Sequence, residues 1–474
     1  MKKQHLFIGG REVETAAYTT LYAPYSKHAI AEVADAGLEE ANKAIEQAVA
    51  AKPVMRRMPA YKRAAILEKL VQLLGERREE AANLIALEAA KPLKAAYGEV
   101  DRTIQTYQFA AEEAKRIHGE TIPLDAAPGG EGRFGYTVRE PIGVVGAITP
   151  FNFPLNLVAH KLGPAIASGN TIVLKPAPQT PLTAYFIAEL LQQAGLPDGA
   201  LNVITGDGKL LGEAIVQDPR VNMVTFTGSA AVGASIRAMS GIKRVTLELG
   251  SNSAVIVDKD ADLEAVAARA ANGAFSYQGQ VCISLQRIYV LADVFEVFVE
   301  RFTAEVKKLQ IGDPLNPATD VSALISERDV SRALGWIEEA RNLGATVACG
   351  GTAEGGIILP TVLLDVPSHA QVSCKEVFAP IVIVNKVNTM EEAVERVNDS
   401  EFGLQAGIYT NDLKTAMDVS EQLQVGGVMI NDIPTFRVDQ MPYGGIKQSG
   451  LGREGIKYAI EDMTELKLIV FNRT

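Results

Sequence analysis

Between residues 142 and 257 the chain repeats one pattern, a short apolar run followed by a helical stretch. The apolar runs fall at 142–149, 171–174, 201–204, 223–226 and 254–257, and helical periodicity fills 183–194, 209–217 and 229–239. Strands separated by helices of this length cannot close as hairpins, so they imply an α/β chain with a mainly parallel sheet and helices on both faces. This is a doubly wound, nucleotide-binding type of lobe.

The rest of the chain is organised around it. From 38 to 117 the spacing is helical, with Leu38, Ala41, Ile45 and Ala48 on one face, then Ile66, Leu70, Leu73 and Leu74. A second alternating region from 263 to 430 predicts a second α/β lobe. Residues 126–132 are rich in Gly and Pro and lead into the alternating 133–139, read as an edge strand. The tail alternates Leu466, Leu468 and Val470, and an apolar strand at a chain end needs a partner. With 133–139 it would form an exposed sheet completed by another subunit. A chain of 474 residues is too long for one core, so two or three lobes around a ligand-binding cleft are expected.

Composition narrows the function. Net charge is −11 without a block of like charges, which argues against nucleic acid or an anionic membrane as partner. The apolar stretch 6–10 is too short for a signal peptide and the run 142–148 has the length of a strand, so a cytoplasmic protein is expected. Three cysteines, Cys282, Cys349 and Cys374, suggest neither a disulfide framework nor a zinc site.

Several residues invite chemistry. Cys282 follows a Gly-containing turn after a helix, where local dipoles lower a thiol from about 8.5; a lone cysteine is more commonly a small core residue. Glu248, in an apolar strand end before Gly250, is either a desolvated general base or half of an internal salt bridge. Asn152, between Phe151 and Phe153, either donates to an oxyanion or closes a turn. Gly206-Asp207-Gly208 misses the dinucleotide spacing and reads as a tight turn. In Phe226-Thr227-Gly228-Ser229 with Gly233, a strand hands over to a helix, giving either a pyrophosphate site or an ordinary N-cap.

Taken in order, these elements resemble the aldehyde dehydrogenase superfamily along essentially the whole chain. The matches are Pro150-Phe151-Asn152-Phe153-Pro154, Lys175-Pro176, Phe226-Thr227-Gly228-Ser229 with Gly233, Leu247-Glu248-Leu249-Gly250, Gly279-Gln280-Val281-Cys282, Glu376-Val377-Phe378-Ala379-Pro380 and the glycine-rich run from Pro442 to Gly450. The resemblance implies a Rossmann-like cofactor domain (1–122 and 141–249), an α/β catalytic domain (250–446) and a β oligomerisation flap (123–140 and 447–474). It implies Cys282 as nucleophile, Asn152 as oxyanion donor with the Cys282 N–H, and Glu248 as base for thioester hydrolysis. Lys175 and Glu376 would bind cofactor ribose, Ser229 with Gly228 and Gly233 the pyrophosphate, and Phe378 the nicotinamide side, with Thr149 and Phe151 also binding the cofactor. A homodimer or homotetramer without a metal is implied.

One departure bears on the cofactor. Many NAD-preferring members carry a glutamate three residues after the lysine, where this chain has Pro178; both NAD and NADP stay open. The substrate mouth is expected from Arg102 on a helix read as 99–116, from Phe153, Val281 and Ile283, and from Arg437 on the 435–439 loop. Arg437 would pair with an anionic group or hydroxyl of the substrate, or form a surface ion pair. The closest motif flavour is that of relatives acting on lactaldehyde, glyceraldehyde or phosphonoacetaldehyde. Val281 stands where strict phosphate-handling relatives tend to have arginine, so a small hydroxylated or singly anionic aldehyde is expected. The alternatives are a CoA-acylating semialdehyde dehydrogenase and a catalytically silent protein of the same fold.

Overall fold

The computed structural model describes residues 2–473 and builds two large sheets. The first has eight strands in the order Gly450–Leu451, Arg244–Glu248, Met223–Thr227, Val144–Ile148, Thr171–Lys175, Leu201–Val203, Leu6–Ile8 and Arg11–Val13. Its five central strands are all parallel, and buried on both faces, as apolar runs without alternation require. The chain runs outward from Val144–Ile148 in one direction and then returns to add Met223–Thr227 on the other side. That reversal is a topological switch point, where the carboxyl ends of open parallel strands leave a ligand crevice.

The second sheet has seven strands, with Ala254–Val257 between Arg287–Leu291 and Gln405–Tyr409, parallel to both. The sequence pattern put 254–257 in the first alternation; the structure moves it to the second sheet. A fully buried apolar run carries no mark of which sheet it joins, and the polar link Ser251-Asn252-Ser253 is where the chain crosses.

Four helices, Leu38–Arg57, Ala60–Glu76, Arg78–Ala89 and Leu93–Ala114, occupy the predicted helical region. Ala41, Ile45, Ala48, Ile66, Leu70 and Leu74 are buried as the spacing requires, whereas Leu38 is 58% exposed and Leu73 only half-buried. Leu38 opens its helix and projects before the first turn reaches the core. The helix carrying Arg102 starts at Leu93, earlier than read, because Pro92 supplies a proline-fixed start. The N-terminal strands were not anticipated: Leu6 and Ile8 are fully buried at the sheet edge, and Lys2–Gln4 pairs with Ala29–Asp35. Three-residue strands are too short to show a period.

Thr464–Asn472 pairs with Arg133–Pro141 in unbroken antiparallel register, and Thr121–Ile122 extends the sheet on the far side. No helix among the described residues is long and apolar enough to cross a membrane.

Candidate active site

The site begins with a strained turn. After the helix Leu263–Phe275, Tyr277 and Gln278 adopt left-handed backbone at φ 48° and 55°, followed by Gly279 at +69°. Such conformations cost on the order of 1 kcal/mol or more for non-glycine residues, so the turn must be held. Tyr277 Oη donates to the Ala89 carbonyl at 2.9 Å, Gln278 Nε2 to the carbonyls of Ala90 and Ala323 at 2.9 Å each, and Gln280 Oε1 accepts from the Ile325 N–H at 3.0 Å. Gly279 is obligatory, since a Cβ there would stand 2.3 Å from the Ala379 carbonyl oxygen. The turn delivers Cys282 to the wall of a cavity of about 330 Å³.

All five residues expected at the substrate mouth, Arg102, Phe153, Val281, Ile283 and Arg437, line this same cavity with Cys282. Arg102 is held by Asp439 and is 30% exposed. The Arg437 side chain is only 6% exposed, so its surface-ion-pair alternative fails. Its Nη2 donates to Glu454 Oε2 at 2.9 Å, its guanidinium lies 3.5 Å from the Tyr443 ring centroid, and its Nε is buried without a hydrogen bond, 3.9 Å from Asp439 Oδ1. Lys91, paired with Glu99, sits under Phe153 and also reaches the cavity.

Glu248 ends its strand with both carboxylate oxygens buried and without a hydrogen-bond partner. That removes the salt-bridge alternative for it. Burial, and then the charge of Glu454, push its carboxyl well above the ordinary range. Asn152 Nδ2 donates to the Gln280 carbonyl at 3.0 Å, which fixes the amide against the cysteine loop and uses one of its two N–H bonds. For Cys282 the expected lowering is reversed: burial pushes its thiol up to about 11, outweighing the Tyr443 hydrogen bond and the Arg437 charge. The helix-end dipoles invoked from sequence do not compensate for the lost water.

Most residues assigned to cofactor contact follow the carboxyl ends of first-sheet strands, while Glu376 and Phe378 lie in the loop before Ile381–Val387 of the second sheet. Thr149 follows one central strand, Lys175 ends the next, and Gly228 and Ser229 follow a third. Ser229 caps the helix Ala230–Met239 through the Val232 N–H, so the N-cap reading holds whether or not an anion also binds. Gly233 packs so close that a Cβ would stand 2.5 Å from Leu249. Phe378, at φ 48°, meets Phe151 edge-on with centroids 5.8 Å apart. Glu376 accepts from the Ser251 N–H at 3.1 Å, and burial raises its carboxyl to about 7. Lys175, lowered to about 8 by burial, donates to the Pro176 carbonyl. Thr149 Oγ1 is buried without a partner. A capped helix end, an orphaned hydroxyl and a buried lysine at a switch point, with the half-buried Glu376 carboxyl beside Ser251, fit a dinucleotide. Gly206 bends the chain at φ +147° and Asp207 caps the helix Gly208–Gln217 through the Leu210 N–H, so the expected tight turn is a helix cap instead.

Sequence reasoning missed the polar cluster behind the cavity. His160 bridges Asp439 at 2.8 Å and Glu454 at 2.9 Å, and Lys161 Nζ donates to Glu454 at 2.8 Å. It also missed Tyr443, whose hydroxyl lies 2.9 Å from Cys282 Sγ. His160 stands one turn after Asn156 and next to Lys161, polar residues on a mostly apolar helix that could have been noticed; the Tyr443 contact spans 161 residues and has no local signal.

Comparison with known proteins agrees with this geometry. Residues 12–469 match the model of the aldehyde dehydrogenase family. A 3-sulfolactaldehyde dehydrogenase of Priestia aryabhattai is 46% identical over 472 residues, covering 100% of this chain and 98% of that protein. A lactaldehyde dehydrogenase of Methanococcus aeolicus is 41% identical over 453 residues, covering 95% and 96%. The solved NADP complex of an NADP-dependent glyceraldehyde-3-phosphate dehydrogenase from Bacillus halodurans superposes with TM-score 0.98 at 37% identity, over 100% of both chains. The chain belongs to the aldehyde dehydrogenase family.

Proposed function

We propose that this protein oxidises a small polar aldehyde, hydroxylated or carrying one anionic group, to the carboxylic acid with NAD or NADP. The observation that carries the reading is the placement of Cys282 on one cavity wall with Arg102 and Arg437, beside a buried, unpaired Glu248. The Cys282 thiolate adds to the aldehyde carbon, and the second N–H of the Asn152 amide, with the Cys282 N–H, holds the resulting oxyanion, a contribution of about 3–4 kcal/mol for such a donor. A bound nicotinamide supplies the hydride acceptor, leaving a thioester on Cys282. Glu248 takes a proton from water, the water oxygen adds to the thioester carbon, and the C–S bond breaks to release the acid. Arg102 and Arg437, whose Nε makes no hydrogen bond within the protein, orient the polar end of the substrate.

The names of the relatives, which act on sulfonated and hydroxylated three-carbon aldehydes, support the substrate class. Pro178, in place of a carboxylate, leaves room for a 2′-phosphate. The sheet of Arg133–Pro141 and Thr464–Asn472 is read as the contact between copies in a homodimer or homotetramer. The test is reduced-cofactor formation from NAD and NADP across lactaldehyde, glyceraldehyde, sulfolactaldehyde, succinic semialdehyde and phosphonoacetaldehyde, beside Cys282→Ala and with or without CoA. Turnover lost in Cys282→Ala and indifferent to CoA supports the reading; CoA dependence overturns the role of Glu248.

A further inference from the structure

The proposed reaction needs Cys282 as a thiolate, yet its surroundings hold it as a thiol. Four charged or polar groups face the sulfur. Glu248 and Glu376 disfavour negative charge there, while Arg437 and the Tyr443 hydroxyl favour it. Tyr443 alone makes a hydrogen bond, Oη to Sγ at 2.9 Å, and its ring is fixed on several sides. The Tyr443 N–H donates to the Glu454 carbonyl at 3.0 Å, and the Glu454 N–H donates back at 2.6 Å. The Arg437 guanidinium covers the ring face, held in turn by Glu454. The following Gly444 lets the segment approach Glu248, because a Cβ there would stand 3.0 Å from Glu248 Oε1.

We propose that Tyr443 is a positioning residue for the nucleophile: its O–H donates to the Cys282 thiolate, stabilising the charged form and aiming the sulfur into the cavity. The inference rests on the reading of Cys282 as nucleophile. Burial, together with the neighbouring negative groups, raises the phenol well above its ordinary value, so Tyr443 keeps its proton through the neutral range and stays a donor. A hydrogen bond to a charged acceptor is the stronger kind, so the bond tightens as the thiol loses its proton. Arg437 adds positive charge over the face of the ring, linking the end that orients substrate to the group that orients sulfur.

The test is the pH dependence of Cys282 alkylation by iodoacetamide, read by mass spectrometry of the Cys282 peptide so that Cys349 and Cys374 do not contribute. This readout needs no turnover, so it fails or stands independently of the substrate assignment. In Tyr443→Phe the midpoint should rise by about one pH unit, a tenfold slower alkylation at neutral pH. Its kcat/KM should fall at neutral pH and recover towards wild type in alkali, which a packing defect would not do. Replacing Tyr443 by 3-fluorotyrosine, a stronger donor on the same ring, should move the midpoint down, and this variant decides the matter should the phenylalanine protein fold poorly. Superimposable alkylation profiles for wild type and the fluorinated protein, or for wild type and a folded Tyr443→Phe, overturn the proposal.

Discussion

Arg102 grips Asp439 through two hydrogen bonds, Nη2 to Oδ1 at 2.7 Å and Nε to Oδ2 at 3.2 Å. The pair joins the helix Leu93–Ala114 to the loop that carries Arg437, and it sets the direction of the Arg102 guanidinium at the cavity. Asp439 is also held by His160, and its carboxyl lies far below the ordinary range. It therefore stays charged at all working pH values, and its grip on Arg102 does not titrate. The remaining donors of Arg102 are left to the substrate.

Arg102→Leu should consequently discriminate between substrates. A charge-assisted bond contributes about 1.5–3 kcal/mol, so KM for a sulfonated or carboxylated aldehyde should rise roughly ten- to a hundredfold, while that for an uncharged aldehyde of the same length should change less than threefold. Steady-state kinetics on the two substrate types decide it; an equal loss on both would assign Arg102 to loop placement alone.

Glu248 should separate the two halves of the reaction. Its carboxyl is raised by burial first and by Glu454 second, so it is protonated in acid and becomes a base as pH rises. The hydrolytic step should therefore speed up with pH until Glu248 is fully ionised. Glu248→Gln should form reduced cofactor in a burst near one equivalent per subunit and then slow by about a thousandfold. Rapid-mixing absorbance measures both phases, and trapped acyl-Cys282 should appear in the intact mass. A mutant without a burst would place Glu248 in the first half-reaction.

How much of this was legible in the sequence differs by residue. The parallel strands and the ends that carry Thr149, Lys175, Gly228 and Glu248 followed from local apolar runs, because a run buried on both faces leaves its mark in consecutive residues. Glycines such as Gly279 and Gly233 were visible as motif members, but their reason, close approach to Ala379 and Leu249, lies across the fold. The ionisation of Cys282 was misread from sequence because the local dipole is a property of the turn, while desolvation depends on everything packed around it. Tyr443 could be read only as a motif member and Glu454 gave no local sign, because each acts on a residue more than 150 positions away; His160 was visible as a polar neighbour of Asn156, but its partners were not.

Glu376 makes folding stability depend on pH. Its carboxyl stands at about 7 in the fold against an ordinary value of 4.5, chiefly through burial. The folded state thus holds this proton more tightly than the unfolded chain does. The stabilisation is complete below about pH 4.5 and is lost as pH rises through 7, costing at most about 3 kcal/mol of stability once this half-buried group is ionised. Glu376→Gln keeps an acceptor for the Ser251 N–H and removes the titration. Denaturant midpoints should favour the variant at pH 8.5 and converge below pH 5; no advantage at pH 8.5 would show that a partner neutralises the ionised carboxylate.

The terminal strand Thr464–Asn472 presents Leu466, Leu468, Val470 and Phe471 at 58%, 53%, 45% and 50% exposure, with Phe471 stacked on Tyr136 across the sheet. Leu466, Leu468 and Val470 line one face of this strand and Phe471 the other, and the strand is itself an open edge of the three-stranded sheet, so a monomer would be prone to association and pairing with a second copy would cover the three. A charge in the middle of this row should oppose that pairing without disturbing the core, since Leu468 is already in water in the single chain. Leu468→Asp should therefore yield monomers in size-exclusion chromatography with light scattering at micromolar concentration, where the unaltered protein should elute as a dimer or tetramer. The far-UV circular dichroism should be unchanged. A variant that kept the mass of the unaltered oligomer would move the contact between copies to another face.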